Sequence, residues 1–413
     1  MVSAKDKEIL RRLGEKKLKV SSLPSQKEKM ELWRRLNSLQ KSRPAVWMNE
    51  IPWHELEAVK PELMAQCEDQ FLRQLELRLR RELYQWDHFR CDMIVDPFIS
   101  CELVGGPVGS YADYGIKENA RKEEGAHDVV YLPVLETLAD AEQIRTPQVW
   151  YDKLETERRF ICLSEIFEGI IPVIKRGLVH QWHAPWDQII HWYGIERMYV
   201  DMYENPELVH RVIGNFTRAL GEVLDMQESL GMLDLGNGNW RVGSGGMGAV
   251  DCLPEKVEGR PVSPIDQWGC SNAQIFSEVS PDMHWEFSLQ YELPIMSRFG
   301  LTYYGCCEPL HKKFDMLRRI PNLRKISASP KADLEEFAMN AGHDYVISWK
   351  PNPAIYAPDF FDEVAARKQI DEAIEKCAGC SMEIIMKDVT TIRNDPERLD
   401  RWAAVAMASA ESC

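Results

Sequence analysis

The chain has 413 residues, 45% of them hydrophobic and 28% charged, an ordinary globular balance that argues against disordered, collagen-like and membrane-embedded classes. Its net charge of −15 disfavours nucleic acid as a partner, because a phosphate backbone calls for clustered Lys and Arg. No run of about 18 apolar residues occurs, so no membrane-spanning helix is expected.

Residues 1–19 are rich in Lys, Arg and Glu and lack the apolar stretch of a secretory signal, which makes the cytoplasm the expected compartment. Eleven cysteines are then read as free thiols, with one or two as candidate metal ligands. Residues 1–42 are charge-dense and helical in pattern, with a turn at 21–25 containing Pro24. They read as an N-terminal arm that covers the main domain, 43–413, or contacts a second subunit of a homodimer.

Beyond the arm, short apolar runs alternate with helix-length amphipathic segments. The runs are 45–48, 93–95, 171–174, 232–235, 301–304, 323–326, 345–349 and 384–386. The helical segments include 61–84, 206–230, 281–298, 332–341, 362–376 and 396–409, several with Pro near the start, where no helical amide bond is lost. Eight strands alternating with helices imply a parallel sheet with crossover helices. A doubly wound open sheet is the rival, but residues 43–53 read RPAVWMNEIPW, with no Gly-rich fingerprint after the first strand. The α/β fold expected is therefore a (β/α)₈ TIM barrel. Two long insertions, 101–158 and 236–269, are expected to cap its mouth, the glycine-rich second one as a mobile lid.

The order of motifs from Arg43 onward resembles the uroporphyrinogen decarboxylase-like superfamily, which holds the decarboxylase and zinc-dependent methyltransferases acting on corrinoid proteins and thiols. RPAVWMNEIPW is similar to its first strand and loop, and CDMIVDPF (91–98) to its second strand, ending in an acidic residue, here Asp96. APWDQIIHWYG (184–194) with MYENPELVHRVI (202–213) resembles its Pro-Trp loop and following helices. EVSPDMHWEF (278–287) resembles the stretch before a crossover helix, and LTYYGCCEPLH (301–311) sits where the methyltransferases carry a zinc-binding His-x-Cys.

The departures from that pattern are informative. Where the decarboxylase grips porphyrinogen carboxylates with two Arg, this chain has Asn49 and Trp53, with Glu50 between them. That moves the resemblance away from porphyrinogen decarboxylation and toward the corrinoid-dependent methyltransferase, or O-demethylase, branch. There the zinc His is replaced by Tyr304, and strand alternation is expected to face Tyr304 and Cys306 inward together. The last strand, MEIIMKDVTT, offers Lys387 and Asp388 in place of the remaining Cys. Two alternatives stay open. Either Zn²⁺ is held by Cys306 or Cys307 with Glu308 and Asp388, or there is no metal and Tyr304 and Lys387 donate protons to a departing oxygen.

Each candidate also has a plainer reading. Cys306, Cys307 and Glu308 form either a site or a turn before Pro309. Asp96 is a base or anchor, or an Asp-Pro turn. Asn49, Glu50, Trp53, Asp96, Trp186 and Glu278 are the expected substrate contacts. Trp240, Trp268 and Trp349 join them as pocket walls or as core. His180, His183 and His191 read as structural, and Cys377-Ala-Gly-Cys380 as a turn.

The implied activity is transfer of a methyl group from a methoxylated aromatic or other small methyl donor to a corrinoid on a partner protein. The alternatives are a metal-independent decarboxylase of a small aromatic or tetrapyrrole-like acid and a non-catalytic barrel that binds a corrinoid or tetrapyrrole.

Overall fold

A computed structural model describes residues 2–107, 112–122 and 129–413. Its centre is a parallel sheet of seven strands, in spatial order Ala45–Met48, Ser381–Met386, Val346–Trp349, Leu323–Ala328, Leu301–Tyr304, Trp268–Ser271 and Gln181–His183. Five of the expected runs supply these strands, and 181–183 and 268–271 were not anticipated.

A closed ring of eight strands was expected, and the sheet among the described residues is not closed. The ladder has seven strands and is open between Ala45–Met48 and Gln181–His183. The segments expected to close it bond only locally. Asp92 N–H donates to Val46 O at 2.8 Å, and residues 232–235 meet their neighbours through an isolated Leu178–Leu233 bridge. Part of the 171–174 run pairs instead with a strand at the opening, Val173–Arg176 lying parallel to Ile99–Glu102.

Side chains alternate across each strand. Val46, Met48, Met382, Ile384, Met386, Ile347, Trp349, Ile326 and Ala328 project to one face and join a single core cluster with the helical layer. That layer includes Leu334–Ala341, Glu363–Lys376 and Glu397–Glu411. The other face carries polar groups, among them Glu383, Ser348, Lys325 and Tyr303, all fully buried. A sheet buried on both faces yet polar on one requires a partner layer that satisfies hydrogen bonds.

The glycine-rich insertion supplies it. Residues 242–250 are buried throughout, so the expected mobile lid is corrected to a packed inner layer. Gly246 N–H donates to Glu383 Oε1 at 3.0 Å, and a Cβ at Gly246 would lie 2.3 Å from the Trp33 ring. Only glycine lets the backbone approach so closely. The other expected cap, 101–158, lies partly outside the described residues.

The N-terminal helices Ala4–Ser21 and Pro24–Asn37 are part of this packing. Trp33 is fully buried and donates to Asp92 O at 2.9 Å, while Asn37 Nδ2 donates to Met247 O and Ala249 O, both at 2.8 Å. No helix among the described residues is long and apolar enough to cross a membrane.

Candidate functional site

The polar face of the sheet ends in a cluster of ionisable groups at the carboxyl ends of the strands, where parallel α/β folds place their chemistry. Alternation brings Lys350 to the inner face after Ser348, and Lys387 after Ile385. Asn49 and Glu50 follow Ala45–Met48, and Cys306 and Cys307 follow Leu301–Tyr304.

Lys387 is the hub. Its Nζ lies 3.2 Å from Glu50 Oε2, 3.0 Å from Asp388 Oδ2 and 3.6 Å from Cys306 Sγ. Arg241 pairs with the other Glu50 oxygen. Cys307 Sγ lies 3.6 Å from Cys306 Sγ and 4.0 Å from Asp388 Oδ2. Glu50 (φ 50°) and Asp388 (φ 57°) both hold the left-handed backbone conformation without being glycine. Such strain persists only where surrounding structure enforces it. Here Val389 N–H donates to Glu50 O at 3.1 Å and Asn49 N–H to Met386 O at 2.9 Å, which carries the pairing past the strand ends.

These neighbours set the proton affinities. The hydrogen bond shared with Cys307 and the nearby Lys387 lower the Cys306 thiol against the opposing effect of burial. Cys307, the other thiol of that pair, is raised. Burial opposes the charge on Glu50, yet Arg241 and Lys387 hold its carboxyl down to about 2. Burial likewise opposes the Lys387 charge, but Cys306, Glu50 and Asp388 together lift it above the ordinary lysine value.

Lys350 is different. It is buried, and that burial lowers it to about 7, with Lys387 and Arg241 acting in the same direction. Its Nζ donates to Tyr303 OH at 2.6 Å and to Ser348 O and Oγ at 2.8 Å. Tyr303 OH in turn lies 2.8 Å from Ser244 Oγ. Beneath them Ser348 Oγ donates to Glu383 Oε1 at 2.6 Å, and Glu383 is paired with Lys325 at 2.9 Å, both side chains fully buried. Glu383 is held ionised by Lys325 and Ser348.

The expected residues separate into two groups. Glu50, Cys306, Cys307, Lys387 and Asp388 come together, with Asn49 beside them; both of its side-chain polar atoms are buried without a partner.

Tyr304 does not share this face, which corrects the expected alternation. It projects to the helical layer, where its hydroxyl lies 2.8 Å from His284 Nε2 and burial raises its proton affinity. The reason is Gly305, whose φ of 98° turns the chain so that Tyr303, not Tyr304, precedes Cys306 on the inner side. Glu308 is also turned away. Its buried carboxylate accepts Cys306 N–H at 2.8 Å and Ala273 N–H at 3.2 Å.

Asp96 accepts from Asn239 at 3.0 Å and has Lys17, Glu82 and Arg176 as charged neighbours, so it stands apart from Lys387. Trp53 packs against Arg81 and Phe89, Glu278 is exposed, and Trp240 stacks on Arg176. Trp186, Trp268 and Trp349 are buried core residues.

Among the histidines, His180 accepts from Gly243 N–H at 3.2 Å, burial lowers His183 to about 4, and His191 stacks on Tyr131. The Cys377–Cys380 segment closes a helix, with Cys380 N–H donating to Cys377 O at 3.0 Å.

The donor set does not suit the expected zinc. Cys306, Glu308 and Asp388 do not converge, because backbone amides occupy Glu308 and an ammonium stands where Cys306 and Asp388 meet. Among the described residues no three His, Cys, Asp or Glu side chains form a metal-binding group.

Lys350, Arg241, Tyr303 and Ser244 were missed from the sequence. The available signal was a lysine directly after the 345–349 run, in the same position as Lys387 after 384–386. A polar groove of about 360 Å³ opens beside Lys350 on the helical side, with Asp333, Asn352 and Glu372 in its lining. A larger one, about 530 Å³, lies among Leu13, Arg80, Tyr84 and Trp86 and holds none of the strand-end groups. The chemistry, not the volume, marks the site.

No family model and no curated protein matches the chain. Among solved structures, it is similar to a methyltransferase from Methanosarcina mazei at 10% sequence identity and a TM-score of 0.49, over 93% of this chain and 98% of that one.

Proposed function

We propose that this chain is a cytoplasmic methyltransferase that takes a methyl group from a methoxylated aromatic, or another small methyl donor, and hands it to the cobalt of a corrinoid carried by a separate protein. The open seven-stranded sheet, with residues 93–95 and 232–235 beside its gap, is read as the wall of a barrel of the (β/α)₈ kind. Support comes from the order of sequence motifs and, above all, from one observation: two lysines end neighbouring strands on the same face, Lys350 buried against the hydroxyls of Tyr303 and Ser348, and Lys387 paired with the carboxylates of Glu50 and Asp388.

An aryl or alkyl oxygen leaves well only if it gains a proton as its carbon–oxygen bond breaks. Lys350 is tuned to give one near neutrality, with the Tyr303 hydroxyl as the group it already donates to. Lys387 stays an ammonium and stabilises negative charge growing on the oxygen. Asn49, with unpaired polar atoms, and Arg241 orient the donor. No metal enters this reading.

The test mixes the full chain, methoxyaromatics and a reduced corrinoid protein, and follows cobalt absorbance. Methylation of cobalt that falls in kcat on Lys350→Met is expected. Release of CO₂ from a carboxylated ring, with no cobalt methylation from any donor, would replace this reading with the decarboxylase one.

A further inference from the structure

The two strand-end cysteines form a chemical unit that methyl transfer leaves unused. Cys306 and Cys307 are adjacent in sequence, their sulfurs are 3.6 Å apart, and Lys387 Nζ stands 3.6 Å from Cys306 Sγ. Cys306 is half-buried and Cys307 exposed, so a small oxidant reaches the pair from solvent. A thiol beside an ammonium is the nucleophilic partner, and an exposed neighbour within contact distance is suited to resolve what it forms.

We propose that Cys306 and Cys307 are a peroxide-sensitive pair that closes reversibly into a disulfide between adjacent residues. The Cys306 thiolate attacks one oxygen of a hydroperoxide. A sulfur–oxygen bond forms, the oxygen–oxygen bond breaks, and the departing oxygen takes a proton. The Cys307 sulfur, losing its proton, then attacks the sulfenic sulfur, and the hydroxyl leaves as water. Two thiols are oxidised by two electrons, and the hydroperoxide is reduced by the same two.

The product is labile for a geometric reason. Consecutive α-carbons lie about 3.8 Å apart, shorter than the roughly 4.4–6.8 Å that a relaxed disulfide spans, and such distortion makes the bond easy to reduce. The strand ends at Tyr304, and the bend at Gly305 (φ 98°) takes the pair out of the ladder. Closing the pair replaces the Cys306 thiol beside Lys387 with a disulfide sulfur, which carries no proton to lose.

The test uses the full chain without substrate and therefore stands independently of the methyl-transfer reading. The protein is treated with hydrogen peroxide, alkylated and digested with trypsin, which isolates residues 299–312 with these two cysteines alone. The expected result is loss of two hydrogen masses from that peptide, resistance of both thiols to alkylation, and recovery with dithiothreitol. Cys307→Ser should instead give a dimedone adduct on Cys306, and Lys387→Met should slow oxidation about tenfold. Exposed Cys252 and Cys413 serve as internal comparison. If wild-type Cys306 and Cys307 remain alkylatable while those two oxidise, or if Cys306 passes to sulfinic acid with Cys307 still free, the proposal is overturned.

Discussion

Two neighbouring strands of the sheet, Val346–Trp349 and Ser381–Met386, end in the same way, with a lysine on the inner face, and yet the two lysines are opposites. Lys387 meets two carboxylates, Glu50 and Asp388, and the Cys306 sulfur, and is raised. Lys350 meets two hydroxyls and a carbonyl, lies deeper, and is lowered to about 7. Identical position in the fold does not confer identical chemistry. The partners supplied by the adjoining loops decide it, because a charge taken out of water needs an opposite charge to remain stable.

The most disruptive way to test this contrast is to remove the buried pair on which Lys350 rests. Lys325→Met leaves Glu383 charged and unpaired and should lower stability by about 3–5 kcal/mol in urea unfolding. Lys350→Met should leave the fold intact and reduce kcat for the proposed methyl transfer by about 100-fold, with little change in KM. A mainly structural role for Lys350 would show as equal loss of stability and activity.

Stability against pH separates the two lysines next. Because Lys350 binds its proton more weakly folded than unfolded, its penalty on the fold is full below pH 7. The penalty fades as pH rises from about 7 to its ordinary value of 10.5. The wild type should therefore gain stability across that window relative to Lys350→Met, measured by denaturant midpoints.

Glu50 acts in the opposite sense. Held at about 2 against an ordinary 4.5, it contributes stability above pH 4.5 that is lost as pH falls toward 2, and Glu50→Gln should flatten that acid limb. Its effect should be small, since the carboxylate is 35% exposed and screened by solvent. Glu278→Gln, on the exposed surface, should change stability by no more than about 0.5 kcal/mol.

Much of the scaffold was legible before any coordinates. Apolar runs at 45–48, 301–304, 323–326, 345–349 and 384–386 are strands because their alternate residues must bury against helices. The helix expected at 206–230 is observed as Pro206–Ser229. The helix expected at 61–84 is Gln70–Asp87, because Asp69 caps it by accepting Leu72 N–H. The one expected at 281–298 is interrupted by a wide turn at Trp285–Leu289, with Pro294 in its last segment.

The sequence by itself determined an alternating α/β chain with ionisable residues at the strand ends, because hydrophobic periodicity and chain order are local properties. Tertiary structure decided which of those residues meet. Gly305 set whether Tyr303 or Tyr304 faces inward, backbone amides turned Glu308 away from the thiols, and a glycine segment that meets Glu383 from 137 residues away filled the face where a lid was expected. Proton affinity followed the same rule: Lys350 and Lys387 differ only in what the rest of the chain brings beside them.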